Sequence, residues 1–180
     1  MTVNAENCTK KALIAHLFRR AGVGITFDEL ADYLTIDYGD IEQKLIYPEL
    51  QPELDQDVVR RYNIDQNSLM LIESSQANWM YRIINTKRPL EEKMALFWHD
   101  LFATAYSKLN HAKAVVNQTD TFRRCGLGNF RTLLLELSRD PAMIFWLDNK
   151  DNHKGSPNEN YGRELLELFS LGMGNYSDEV

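Results

Sequence analysis

Three times this chain turns on the pattern Gly-x-Gly, each time after a run of helical periodicity. Phe18-Arg-Arg-Ala-Gly-Val-Gly24 recurs as Phe122-Arg-Arg-Cys-Gly-Leu-Gly128, and Gly22-Val-Gly-Ile-Thr-Phe-Asp-Glu-Leu30 recurs loosely as Gly172-Met-Gly-Asn-Tyr-Ser-Asp-Glu-Val180. The pattern predicts a corner. Its first glycine takes a positive φ to close a helix, the next residue tucks back, the second glycine frees the turn, and a capped helix follows. Glycines ahead of a helix can also cradle a phosphate. No strand precedes these corners and no P-loop Lys-Ser/Thr follows, so they read as architecture. Their irregular spacing excludes a solenoid.

Between the corners the periodicity is helical throughout. A first helix is predicted over about Thr9 to Ala21, with Leu13, Leu17, Phe18 and Ala21 on one face and Gly22 as its left-handed terminator. Thr26-Phe-Asp-Glu29 is a capping box that opens a short helix to about Tyr47. Residues 47–57, rich in proline and acid, form the loosest connection. Ser68 to Thr86 reads as a helix, and Pro89 suits the first position of the next. On a helical wheel Leu90 to Tyr106 leaves only a narrow polar stripe of Lys93, Asp100 and Thr104, which predicts the central helix. Asn110 is expected to cap a helix to Cys125, Asn129 one from Phe130 to Arg139, and Asp140-Pro141 to open an apolar turn to Leu147. No stretch alternates as a strand does. The fold class is all-α: one irregular multi-helix domain over residues 1–180 with helix–Gly-x-Gly–helix corners.

Composition narrows the function classes. With 44% apolar and 26% charged residues the chain can bury one sizeable core. A net charge of -6 argues against general affinity for nucleic acid or anionic membrane, since counterion release needs a field of Lys and Arg. No segment approaches the length of a membrane helix and the N-terminus lacks a secretory signal, so the sequence as written predicts a cytoplasmic location. Cys8 and Cys125 fit no metal or redox spacing and form either one long-range disulfide or, the favoured reading, two free thiols.

Several of these segments carry a resemblance. Lys93-Met-Ala-Leu-Phe-Trp-His-Asp-Leu-Phe-Ala103, Leu17-Phe-Arg-Arg-Ala-Gly-Val-Gly24, and above all Asn158-Glu-Asn-Tyr-Gly-Arg-Glu-Leu-Leu-Glu-Leu-Phe-Ser-Leu-Gly172 with Gly174-Asn-Tyr176 resemble the bacterial domain-of-unknown-function family numbered 1800. The resemblance runs from about residue 12 to the end. It implies an N-terminal portion of a longer domain, exported homologues, and a protein partner from another uncharacterised family. It brings no catalytic residue. Many members resemble a Trp-His-Asn-His pattern where this chain reads Trp98-His99-Asp100-Leu101, so a paired-histidine metal site lacks one ligand here. Independently, Ser177-Asp-Glu-Val180 has the N-cap and first-turn acids of a helix, which predicts that the chain is a fragment continuing beyond Val180.

Chemistry would have to come from a few side chains. His99 lies on the broad apolar side of the central helix, where a sheltered imidazole is either a hydrogen-bonded core residue or a metal ligand or acid–base group. His111 and His153 read as solvated. On the last helix Tyr161, Leu165, Leu166, Leu168 and Phe169 face one way, and Asn160, Arg163, Glu164 and Glu167 the other. That polar face is either a solvated ion-pair surface or one wall of a site, with His99 and Glu164 as candidate metal ligands. Asp148 to Glu159 has the length of a calcium loop, but Lys150 and His153 occupy positions that exclude an EF-hand. Two readings stand: a helical binding or assembly module, and a metal-dependent or acid–base enzyme whose site is completed by a C-terminal part. Substrate and cofactor are not indicated.

Overall fold

The computed structural model describes residues 2–55, 57–58, 61 and 71–176, with side chains from residue 8 on. These form ten α-helices and no β-strand among the described residues. In chain order they are α1 (Thr2–Ala21), α2 (Phe27–Tyr33), α3 (Tyr38–Ile46), α4 (Ile72–Asn85), α5 (Pro89–Leu101), α6 (Tyr106–Leu109), α7 (Ala112–Cys125), α8 (Phe130–Leu137), α9 (Pro141–Trp146) and α10 (Asn160–Glu167). The fold is all-α.

Two compact units divide these elements. The first contains α1 to α3, α4 from Glu73 and the opening of α5 to Met94; the second takes in Leu71 and Ile72 and the chain from Ala95 on. Ile14, Phe18 and Ala21 of α1 bury against Leu30, Ile41 and Leu45 in the first, with Leu90 packed on them. In the second, Phe102, Phe122, Leu133, Leu137, Ala142 and Met143 are almost fully buried. Each substantial side chain there contributes on the order of 1.5–3 kcal/mol by leaving water.

Local chemistry sets the boundaries. Thr26 and Glu29 form the predicted capping box at the start of α2. The single helix expected from there to Tyr47 is two, because Asp37 accepts from Gly39 N and starts α3 afresh. Lys10 donates to the carbonyls of Leu34 and Ile36, both at 2.8 Å, and so satisfies the chain where it leaves α2. The segment at 47–57 contains a 3-10 turn, Pro48–Leu50, and Arg88 holds it through two bonds to Gln51 O and one to Glu53. The helix predicted from Ser68 starts at Ile72; residues 68–70 lie outside those described, as does Ser177 to Val180.

Three expectations need correction. First, Gly22 and Gly126 do not take positive φ; Gly24 and Gly172 do. Close approach is what excludes a side chain at the first two. A Cβ on Gly22 would stand 2.9 Å from Pro89 Cβ, and one on Gly126 would run into the Phe122 carbonyl oxygen and stand 2.7 Å from the Trp98 ring. Second, the central helix ends at Leu101 rather than Tyr106, and Leu96, Phe97 and Leu101 are exposed. The chain breaks there because Thr104 turns inward to hydrogen-bond the buried Gln118. Third, Asn110 terminates α6 in the left-handed region, while His111 Nδ1 is the cap of α7, accepting from Ala114 N at 3.1 Å.

Candidate functional site

The polar face of α10 is a closed cluster. Spacing of three and four residues stacks Asn160, Arg163, Glu164 and Glu167 along one side of the helix. Arg163 donates to Asn160 Oδ1 at 2.9 Å, to Glu164 Oε1 at 2.8 Å and to Glu167 Oε2 at 2.8 Å. Tyr176 closes the far end, its hydroxyl donating to Glu167 Oε1 at 2.7 Å. Glu164, and then Glu167, raise the Arg163 pKa above its already high ordinary value, so the guanidinium stays charged. Asn160 faces the other way as well: its Nδ2 donates to Leu147 O at 3.1 Å and anchors the start of α10 to the end of α9.

Below this face the helix is pinned by aromatic contacts. Burial raises the Tyr161 pKa, opposed by a hydrogen bond with Ser138, so the phenol is neutral. Phe169 packs on Phe102 with centroids 4.8 Å apart. Leu168, expected on the apolar side, is instead 58% exposed, because the helix ends at Glu167 and the chain turns there. Leu171 and Met173 follow it outward, Met173 at 78%.

His99 sits on α5 against Phe122, with centroids 6.4 Å apart. Burial pushes its pKa below the ordinary imidazole value, while the neighbouring Asp100 charge pulls it partly back. The ring is therefore neutral at neutral pH. The structure brings Asn160, Arg163, Glu164 and Glu167 together through the Arg163 guanidinium. From His99 a run of ring contacts continues through Phe122 and Phe102 to Phe169. No group of three or more His, Cys, Asp or Glu residues among those described could hold a metal ion.

The buried polar interior was not legible in the sequence. Thr104 Oγ1 donates to Gln118 Oε1 at 2.6 Å, and Gln118 Nε2 donates to Asp140 Oδ1 at 3.0 Å. Asp140 also caps α9 by accepting from Met143 N at 2.9 Å. Burial raises the Asp140 pKa, while the bonds from Met143 and Gln118 oppose the rise. In the first unit, Trp79 Nε1 donates to the buried Glu92 carboxylate at 3.0 Å. Asp140 before Pro141 signals a cap, but nothing around Gln118 marks it as buried. The loop from Asp148 to Glu159 is exposed through most of its length, as expected, with Asn158 Nδ2 on Asp148 O.

Comparison with known proteins identifies the lineage. The family model described as a protein of unknown function, DUF1800, matches residues 16–179. The chain belongs to that family. The DUF1800 match includes both Arg-Arg corners and all of α10. No curated protein and no solved structure matches the chain. No described helix is long and apolar enough to cross a membrane.

Proposed function

We propose that this chain is a helical binding and assembly module whose contact surface is the polar face of α10 and the apolar turn that follows it. The observation that carries this reading is the mutual satisfaction of Asn160, Arg163, Glu164, Glu167 and Tyr176. A mutually hydrogen-bonded polar set beside the exposed Leu168, Leu171 and Met173 has the make-up of an interface, an apolar centre with a polar rim. The partner is a protein, since the acidic chain supplies no broad cationic field for nucleic acid.

A photo-crosslinking residue at Met173, with Lys154 as the control position, tests this in cells that make the protein. A discrete adduct at 173, lost in Leu171→Glu and reproduced with the purified partner, supports the module. Equal yields at 173 and 154 refute it.

One observation favours the enzyme reading: burial lowers the His99 pKa, which suits a neutral ligand or base. If His99→Ala and Glu164→Ala fold normally but lose a stoichiometric metal or ligand, that reading replaces the first.

A further inference from the structure

The Phe-Arg-Arg-x-Gly-x-Gly corner is built twice, and the two copies differ in what their arginines touch. At the second, Arg123 Nη1 lies 2.7 Å from Asp120 Oδ1 and Arg124 Nη2 lies 2.8 Å from Glu136 Oε2. Both guanidinium groups are neutralised inside the corner. Asp120 stands two residues before Phe122, and Glu136 seven after the N-cap Asn129. The corresponding positions of the first copy hold His16, two before Phe18, and Tyr33, seven after the N-cap Thr26. Neither is a carboxylate.

Arg19 and Arg20 are accordingly exposed and make no ion pair or side-chain hydrogen bond among the described residues. From Cys8 to Phe27 the chain carries Lys10, Lys11, Arg19 and Arg20 and no acid, although its net charge is -6. Lys10 is engaged with the Leu34 and Ile36 carbonyls. Lys11 lies over the Phe27 ring, 5.6 Å from its centroid. Phe27 is 83% and Val23 66% exposed. Basic residues do favour a helix C-terminus for the sake of its dipole. Arg123 and Arg124 end α7 in the same way and still take carboxylates, so the dipole alone does not account for the bare pair.

We infer that the first corner is a docking site for an acidic segment of a partner protein, which sets carboxylates on Arg19 and Arg20 and an apolar side chain against Val23 and Phe27. The second corner shows the occupant's chemistry within the same molecule: two carboxylates, brought from different places, on adjacent arginines. Planar guanidinium groups match carboxylates closely, and arginine and aromatic side chains are enriched at interface centres. The exposed Phe27 favours a protein over a polyanion, which would leave it in water. This surface lies in the first unit and is independent of the α10 reading.

The probe is a fluorescein-labelled amphipathic peptide of Glu and Leu, titrated into the whole protein by anisotropy, with its Gln-for-Glu counterpart alongside. The Glu peptide binds and the Gln peptide does not, and added salt weakens binding. Binding falls by about tenfold or more in Arg19→Glu/Arg20→Glu, the scale of one lost interfacial charge pair. Lys154→Glu, the same charge change in an exposed loop, leaves it unchanged. His16→Asp is the decisive variant. It installs the carboxylate that the second corner has at Asp120, occupies Arg19 from within, and blocks the peptide while the far-UV spectrum and Tm are kept. Equal binding of the two peptides, no binding, or indifference to Arg19, Arg20 and His16 overturns the inference. So does Arg-dependent binding of phosphatidylserine vesicles or a DNA duplex in place of the peptide.

Discussion

Asp140 shows how much a single side chain holds in the second unit. One oxygen caps α9 and receives the amide of the buried Gln118. Asp140→Ala removes a cap and leaves a buried donor unmet, at a combined cost of about 2–4 kcal/mol in urea unfolding. Asp140→Asn keeps the accepting oxygen and costs less than about 1 kcal/mol. The carboxylate's pKa is raised on folding, so its contribution to stability is full at low pH and is lost as pH rises through the folded pKa. Asp140→Asn therefore compares better with the native chain at pH 7 than at pH 3. His99 has the opposite sign. Its folded pKa lies below the ordinary 6.5, so its contribution is full above that value and is lost as pH falls through the folded pKa. His99→Gln should flatten the fall of Tm below about pH 6.5, measured by thermal melts across the acid limb. His99 and the α10 residues could be picked out because helical spacing fixes a residue's face. Gln118 could not, because its burial depends on Thr104 and Asp140, which only the fold places beside it.

At the scale of helices and turns, the glycines separate what a motif shows from what packing decides. The Gly-x-Gly recurrence marks the corners after Ala21 and Cys125 correctly; the helix expected beyond the third lies outside the described residues. Its mechanism differs: Gly22 answers to Pro89, far along the sequence, whereas Gly126 answers both to the nearby Phe122 carbonyl and to the distant Trp98 ring. Gly126→Ala drives a methyl into the Phe122 carbonyl and the Trp98 ring, whose Nε1 donates to Gly126 O, and should cost about 1–3 kcal/mol. Gly162 gives the contrary case. It sits within α10 without a positive φ, and a Cβ there meets nothing within 4 Å. Gly162→Ala should stabilise the protein by about 0.5–1 kcal/mol, read as a rise in urea midpoint with unchanged slope. Capping residues were legible at Thr26, Asn129 and Asp140, where the side chain acts within three residues of itself. At Asn110 and His111 the expectation missed by one position, since the short α6 ends where α7 was expected to begin.

For the whole molecule, two cores raise the matter of how many transitions there are. Ile14 and Phe18 anchor one core, Phe102 and Phe122 the other, and the sequence's even spread of apolar residues gave no sign of the division. The helix α5 belongs to both: Leu90 packs on the first core, while Ala95, further along the same helix, is buried in the second unit. Losing either core removes the tertiary support of one end of α5, and a helix of thirteen residues is marginal without packing. We therefore propose that residues 1–180 behave as a single domain that unfolds in one cooperative step, with a calorimetric to van't Hoff enthalpy ratio near 1. Ile14→Ala should cost about 2–5 kcal/mol and Phe122→Ala about 3–5 kcal/mol, each moving that one transition. Two resolved transitions, with Ile14→Ala shifting one and Phe122→Ala the other, would show that α5 joins two independently folding units.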